Sequence, residues 1–164
     1  MTWCQVYGCC TTLCTFKPII VMTREEAQPA WEAIVNKGFS NYQSLTRDER
    51  IWFNLEPLTT DGITDHYINY GAEHNKDTIR DLEYLGCSDI ANLLKRVNKH
   101  FFWGKPSKDI DKRNVQIMKI GDKHPNFFDD IDDTYWDLNN KLENALLEPI
   151  NKTGIGESPN TSSI

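Results

Sequence analysis

At 164 residues and 19.0 kDa the chain can bury one sizeable core, so one domain is expected rather than two. A hydrophobic content of 39% excludes wholesale disorder, and no apolar run approaches the ~20 residues of a membrane-spanning helix. The formal charge of −6 is modest but unevenly spread. Residues 59–94 carry two basic and seven acidic side chains, residues 95–123 nine and three, and residues 124–150 one and seven. A basic block between two acidic ones predicts ion pairing between the blocks.

Cys4, Cys9, Cys10 and Cys14 crowd the first fourteen residues, and only Cys87 lies in the body. A secreted disulfide scaffold distributes its cysteines through the core, so the body reads as cytoplasmic. The N-terminal spacing lacks the paired C-x2-C knuckles of zinc sites and the basic start of a signal peptide. Met22 opens the polar, helix-ready stretch Thr23-Arg24-Glu25-Glu26. Residues 1–21 are therefore expected to be an appended leader, with the working domain over residues 22–150 and a disordered tail over 151–164.

Within that domain the pattern is helical nearly throughout. A first helix is expected over Glu25–Asn36, with Pro29 in its early turns and Gly38 as its stop. Thr46-Arg47-Asp48-Glu49 is a capping-box sequence that opens a second helix, through Leu58, burying Ile51, Trp52 and Leu55. A short third helix covers Ile63–Tyr70, ended by Gly71. Asn75 caps a fourth whose Ile79, Leu82 and Leu85 share a face and which Gly86 ends. Ser88 caps a fifth, with Ile90, Leu93, Leu94, Val97 and Phe101 spaced as one apolar stripe. After a turn at Gly104–Ser107 a helix spans Asp109–Ile120, residues 121–126 form a loop, and a last helix spans Ile131–Leu147. That helix is expected to bury Ile131, Tyr135, Leu138, Leu142 and Ala145 or Leu146. The expected fold is all-α, one compact domain of six to seven helices.

The residues give little support to catalysis. Asp129-Asp130-Ile131-Asp132-Asp133 has the D-D-x-x-D spacing by which isoprenoid synthases hold magnesium and diphosphate, but the chain is short for their deep cavity and lacks a second acidic motif. Carboxylates at a helix N-terminus are favoured by the helix dipole without any metal. His66, His74, His100 and His124 form no H-E-x-x-H and there is no Gly-rich phosphate loop. Cys87, just past a helix-ending glycine, reads as a small buried hydrophobe. No enzyme activity, catalytic residue, cofactor or metal is expected. The basic block contains Phe101, Phe102 and Trp103, a combination that can bind nucleic acid. Its acidic flanks and the buried spacing of Phe101 argue instead for internal pairing, with no direct nucleic-acid contact.

The acidic helices carry more. Asp77 and Asp81 are expected to project opposite the Ile79–Leu82–Leu85 face, and Asp133 and Asp137 away from the buried stripe of the last helix. Like charges at i, i+4 cost a few tenths of a kcal/mol, so such rows are not placed for stability.

Four stretches resemble the small acidic DNA-mimic protein family known from Neisseria and related bacterial domains. They are Asp61–Tyr70, the leucine-bearing Asp77–Gly86, Phe102-Trp103-Gly104-Lys105-Pro106 followed by Arg113, and the acidic-then-aromatic Phe128–Trp136. Together they span about residues 30–148, and the chain departs from the family where Asp61-Gly62-Ile63 replaces Gly-Gly-Phe. The resemblance implies a helical homodimer that occupies the DNA-binding surface of a partner such as a helix-turn-helix transcription factor and keeps it off its operator. The partner-binding carboxylates it implies are Asp65, Asp77, Asp81, Glu83, Asp129, Asp130, Asp132, Asp133 and Asp137. An immunity or antitoxin-type protein that neutralises a basic nuclease or toxin is the alternative.

Overall fold

The computed structural model describes residues 23–153, so the expected leader and most of the expected tail lie outside the described residues. Within them are seven α-helices: α1 Arg24–Asn41, α2 Arg47–Ile68, α3 Asn75–Tyr84, α4 Ser88–Asn98, α5 Ile110–Lys123, α6 Phe127–Trp136 and α7 Asn139–Thr153. The described residues contain no strand, and the all-α expectation holds. None of the described helices is long and apolar enough to cross a membrane.

Local side-chain caps set three of the helix starts. Thr23 and Glu26 form a capping box on α1, and Thr46 and Glu49 form the expected one on α2. Asp109 caps α5 by accepting from the Lys112 amide. Ser88 does not cap α4 as expected: it is the first helical residue, behind Cys87. Asn75 is likewise inside α3, its side chain turned into the core. Gly86 ends α3 at φ 76°, with Cys87 N–H donating to the Leu82 carbonyl at 2.8 Å and Gly86 N–H to Glu83 at 3.1 Å.

Three boundaries depart from expectation. α1 runs through Gly38 to Asn41, because Gly38 is a packing glycine: a Cβ there would overlap the Phe53 ring of α2. α5 likewise continues through Gly121 to Lys123. The expected single last helix is two, α6 and α7. Between them the Tyr135 hydroxyl donates to the Leu58 carbonyl at 2.5 Å and to Asn139 Oδ1 at 2.8 Å, while Asn139 Nδ2 donates to the Thr59 carbonyl at 3.3 Å. These bonds to α2 hold the chain at the break. α7 then extends to Thr153, into the segment expected to be disordered.

α2 is the axis of the fold, packing against α1, α3, α5, α6 and α7. Ile51, Trp52, Leu55, Leu58, Ile63 and Tyr67 are all buried along it. They meet the α4 stripe of Ile90, Leu93, Leu94 and Val97, with Phe101 just beyond, together with Ile131 and Tyr135 of α6 and Leu142 and Leu146 of α7. Leu138, expected in that core, is half-buried.

α2 is not continuous. Gly62 sits at φ 81°, ψ −175°, which breaks the helix where the expected second and third helices meet. The restarted helix needs acceptors for its first amides, and Asp132 of α6 accepts from both Ile63 N–H (3.0 Å) and Thr64 N–H (3.1 Å). A Cβ at Gly62 would come 3.1 Å from Cζ2 of Trp136, so α6 lies tight against the kink. At the other end of α2 the buried Arg113 donates to the carbonyls of Tyr67 (2.6 Å) and Asn69, and to Ser107 at 2.6 Å. A cation there offsets the negative end of the helix dipole.

Beside it, His66 is buried and shares a 3.2 Å hydrogen bond with Asn75, which donates to Asn98 at 2.8 Å. Burial, reinforced by the nearby Arg113 charge, pushes the His66 imidazole down to about 4.

Two outcomes follow from this core. Gly62→Ala combines a disallowed backbone with overlap on Trp136 and is expected to cost about 2 kcal/mol or more; Asp132→Ala removes the internal cap at about 1–2 kcal/mol. Urea unfolding measures both. For His66, the unfolded chain protonates near pH ~6.5 while the folded chain resists until about 4, so stability is full at higher pH and is lost as pH falls. The unfolding free energy is expected to drop by about 1 kcal/mol between pH ~7 and ~5.5, with a flatter slope in His66→Gln.

Candidate functional site

Packing sorts eight of the nine nominated carboxylates into two groups, with Asp65 apart from both. Asp81, expected in solvent, is 1% exposed. It takes both Nη2 (2.5 Å) and Nε (3.1 Å) of Arg50, and Asn54 Nδ2 at 3.3 Å. Asp81 lies on the flank of the leucine face, about 100° around the helix from Leu82 and against α2, while Lys76, Arg80 and Tyr84 take the face opposite the leucines and are exposed. Asp77 is half-buried, paired with Arg80 at 2.8 Å and accepting from the Tyr42 hydroxyl at 3.2 Å. Glu83 is paired with Lys95 at 2.5 Å, and Asp132 caps the restarted half of α2. These four serve the fold.

Asp129, Asp130, Asp133 and Asp137 are exposed, and none has a Lys or Arg partner within 4.0 Å among the described residues. At about 100° per residue they share an arc of about 100° on α6, while Ile131 and Tyr135 point the opposite way into the core. Asp129 and Asp130 stand in the first turn, where the helix dipole favours them. Asp133 and Asp137 stand at the C-terminal end, where it opposes them. Local stability accounts for the first pair and not the second.

The arc has a neighbour. Asp132 and Trp136, at its edge, touch the Gly62 kink, and Asp61 and Asp65 flank that glycine on α2. Asp65 is half-buried and Asp61 exposed. Asp61 is missing from the sequence-derived set because nothing local links it to α6, 70 residues on; only the Asp132 cap brings the two segments together. Neither Asp61 nor Asp65 has a basic partner within 4.0 Å among the described residues.

Between the basic block and its acidic neighbours one ion pair forms among the described residues. Of the nine basic residues in 95–123, Lys95 reaches Glu83 in the preceding acidic block, Lys112 pairs within its own helix end with Asp109, and Arg113 is spent on backbone carbonyls. Arg96, Lys99, Lys105, Lys108, Lys119 and Lys123 have no carboxylate within 4.0 Å among the described residues. Of these, Lys99, Lys119 and Lys123 gather around His100 and His124, whose rings meet Phe127 at the start of α6. Other candidate chemistry is absorbed by packing: Cys87 is buried, and burial pushes its thiol up, away from the reactive thiolate. Among the described residues no three His, Cys, Asp or Glu side chains are grouped to hold a metal ion.

Asp81→Ala strands the Arg50 charge and is expected to cost about 3 kcal/mol. Asp133→Ala and Asp137→Ala are expected to change stability by no more than about 0.5 kcal/mol. Chemical denaturation of the three variants measures the difference.

A family model described as DMP19-like protein matches residues 43–152, from the turn before α2 to the end of α7. No curated protein and no solved structure matches the chain. The matched span holds the Gly62 kink, its Asp132 cap and the whole acidic arc of α6, and it covers most of the sequence. The chain belongs to the DMP19-like protein family, the DNA-mimic family its sequence resembles.

Proposed function

We propose that this protein is a DNA mimic that works by binding rather than catalysis. The α6 arc occupies the DNA-binding surface of a DNA-binding protein, such as a helix-turn-helix transcription factor, and blocks its operator. The observation that carries the reading is the group of four exposed carboxylates on one arc of α6, unpaired among the described residues, two of them placed against the helix dipole.

Spacing supports it. Asp129 to Asp137 spans ~12 Å of helix axis, so four carboxylates give about one charge per 3–4 Å. One DNA strand carries a charge per ~3.4 Å of axis and a duplex one per ~1.7 Å. A single α6 thus approaches the linear density of one strand. Asp61 and Asp65 begin a second row beside it, and a homodimer supplies a third and fourth. Val115 and Met118 of α5, with Phe102 and Trp103, are exposed apolar side chains available for such self-association. The reading places the protein in the cytoplasm, with its partner.

The test is capture of the partner from the native host by the full chain and by Asp129→Asn, Asp130→Asn, Asp133→Asn and Asp137→Asn combined. The expected results are binding that weakens steeply with added salt, at least a tenfold loss in the variant with unchanged helicity, and release of the partner from its operator by the wild type alone. A partner held equally by both proteins at high salt overturns the reading. Capture of a nuclease or toxin in place of a DNA-binding regulator favours the immunity-type alternative.

A further inference from the structure

A second feature lies on α1 and α2, built by other residues than the acidic arc. A cavity of about 360 Å³ opens between the C-terminal half of α1, the middle of α2 and the turn over Tyr70–His74. Its walls are aromatic. Phe39 meets Phe53 at 5.5 Å and 75° and Tyr70 at 6.0 Å and 85°, standing nearly perpendicular to each. Tyr42 stacks on His74 at 3.5 Å and meets Phe53 edge-on, closing another side.

Two of these rings are largely open to water: Phe39 is 66% and Tyr70 60% exposed. The glycines leave the space open, since a Cβ on Gly38 would push the Phe53 ring and one on Gly71 would overlap His66.

The charge of the lining has one sign. Glu73 is its only formally charged side chain, with no Lys or Arg within 4.0 Å among the described residues. Burial lowers the His74 imidazole, which favours its neutral form at pH ~7. Behind the wall, Asp77 and Asp81 are already matched by Arg80 and Arg50. The nearest cations act on the rim only from a distance, Arg113 on Glu73 and Lys108 on His74, so the half-exposed Glu73 carboxylate stays open to the positive charge of a guest. Ring faces are negative at their centres, so rings and carboxylate together favour a compact, weakly hydrated cation.

From the juxtaposition of the Phe39, Phe53, Tyr42 and Tyr70 rings with the lone Glu73 carboxylate, we propose that this cavity is an alkylammonium-binding site. Its occupant carries a quaternary or alkylated ammonium head seated among the rings with Glu73 at the rim. The site is independent of the α6 arc.

Titration calorimetry on the full chain tests this with choline and with 3,3-dimethylbutanol, which has the same shape without the charge. Choline is expected to bind at least about tenfold more tightly than the neutral isostere, as ~1–2 kcal/mol of cation–π and carboxylate attraction implies. Glu73→Gln is expected to weaken choline about three- to tenfold without changing the isostere's affinity, and Phe39→Ala, which removes a largely exposed ring, to weaken choline more than the isostere. Asp133→Asn, on the acidic arc, is expected to leave choline binding unchanged, which separates this site from the proposed mimicry. An acetylated trimethyl-lysine amide that binds more tightly than choline assigns the site to a peptide side chain; equal affinity assigns it to a free small cation. Equal binding of choline and dimethylbutanol, or no choline binding at ~10 mM, overturns the proposal.

Discussion

The break in α2 at Gly62 governs the arrangement of everything packed on that helix. A helix interrupted in a core exposes amides that water cannot reach, and each unmet donor costs a desolvation penalty of about 1–3 kcal/mol. Asp132 meets two of them at once and brings a negative charge to the positive end of the restarted helix. Because that carboxylate belongs to α6, satisfying α2 also fixes the rotation of α6 about its axis. Ile131 and Tyr135 then turn inward, and Asp129, Asp130, Asp133 and Asp137 turn outward. The orientation of the acidic arc is thus a consequence of a backbone requirement in another helix.

The same logic consumes other charges. Arg113 carries five donors and no acceptor, and the structure spends them on the carbonyls at the end of α2 and on the turn before α5. Asp81 takes the fork of Arg50, whose own charge that bond holds more firmly. Neutral His66 completes a polar chain with Asn75 and Asn98. A buried polar group is tolerated only when bonded, so these residues are read as structure despite their charge or reactivity.

Once those are removed, unpaired charges remain. The carboxylates of α6 and of the Gly62 kink have no Lys or Arg within 4.0 Å among the described residues. The 95–123 segment keeps six lysines and arginines without carboxylate partners among the described residues. In a protein of net charge −6, the carboxylates and cations that remain unpaired are thus left to solvent. The aromatic cavity stands on different elements, and its charge comes from Glu73.

Helical periodicity and capping chemistry, both local, made the all-α class legible from the sequence. The Thr46–Glu49 box, the apolar stripe Ile90 to Phe101 and the stop at Gly86 each act within a turn or three, and each is present. What needed the tertiary structure was any property set by a residue far along the chain. Gly38 reads as a stop until Phe53 is packed on it, and the last helix reads as one until Tyr135 and Asn139 reach α2. Asp81 reads as exposed until Arg50, 31 residues earlier, closes on it. A sequence fixes the spacing of its carboxylates along each helix, because helical rise is constant. Which of them remain free is decided by partners brought near only on folding.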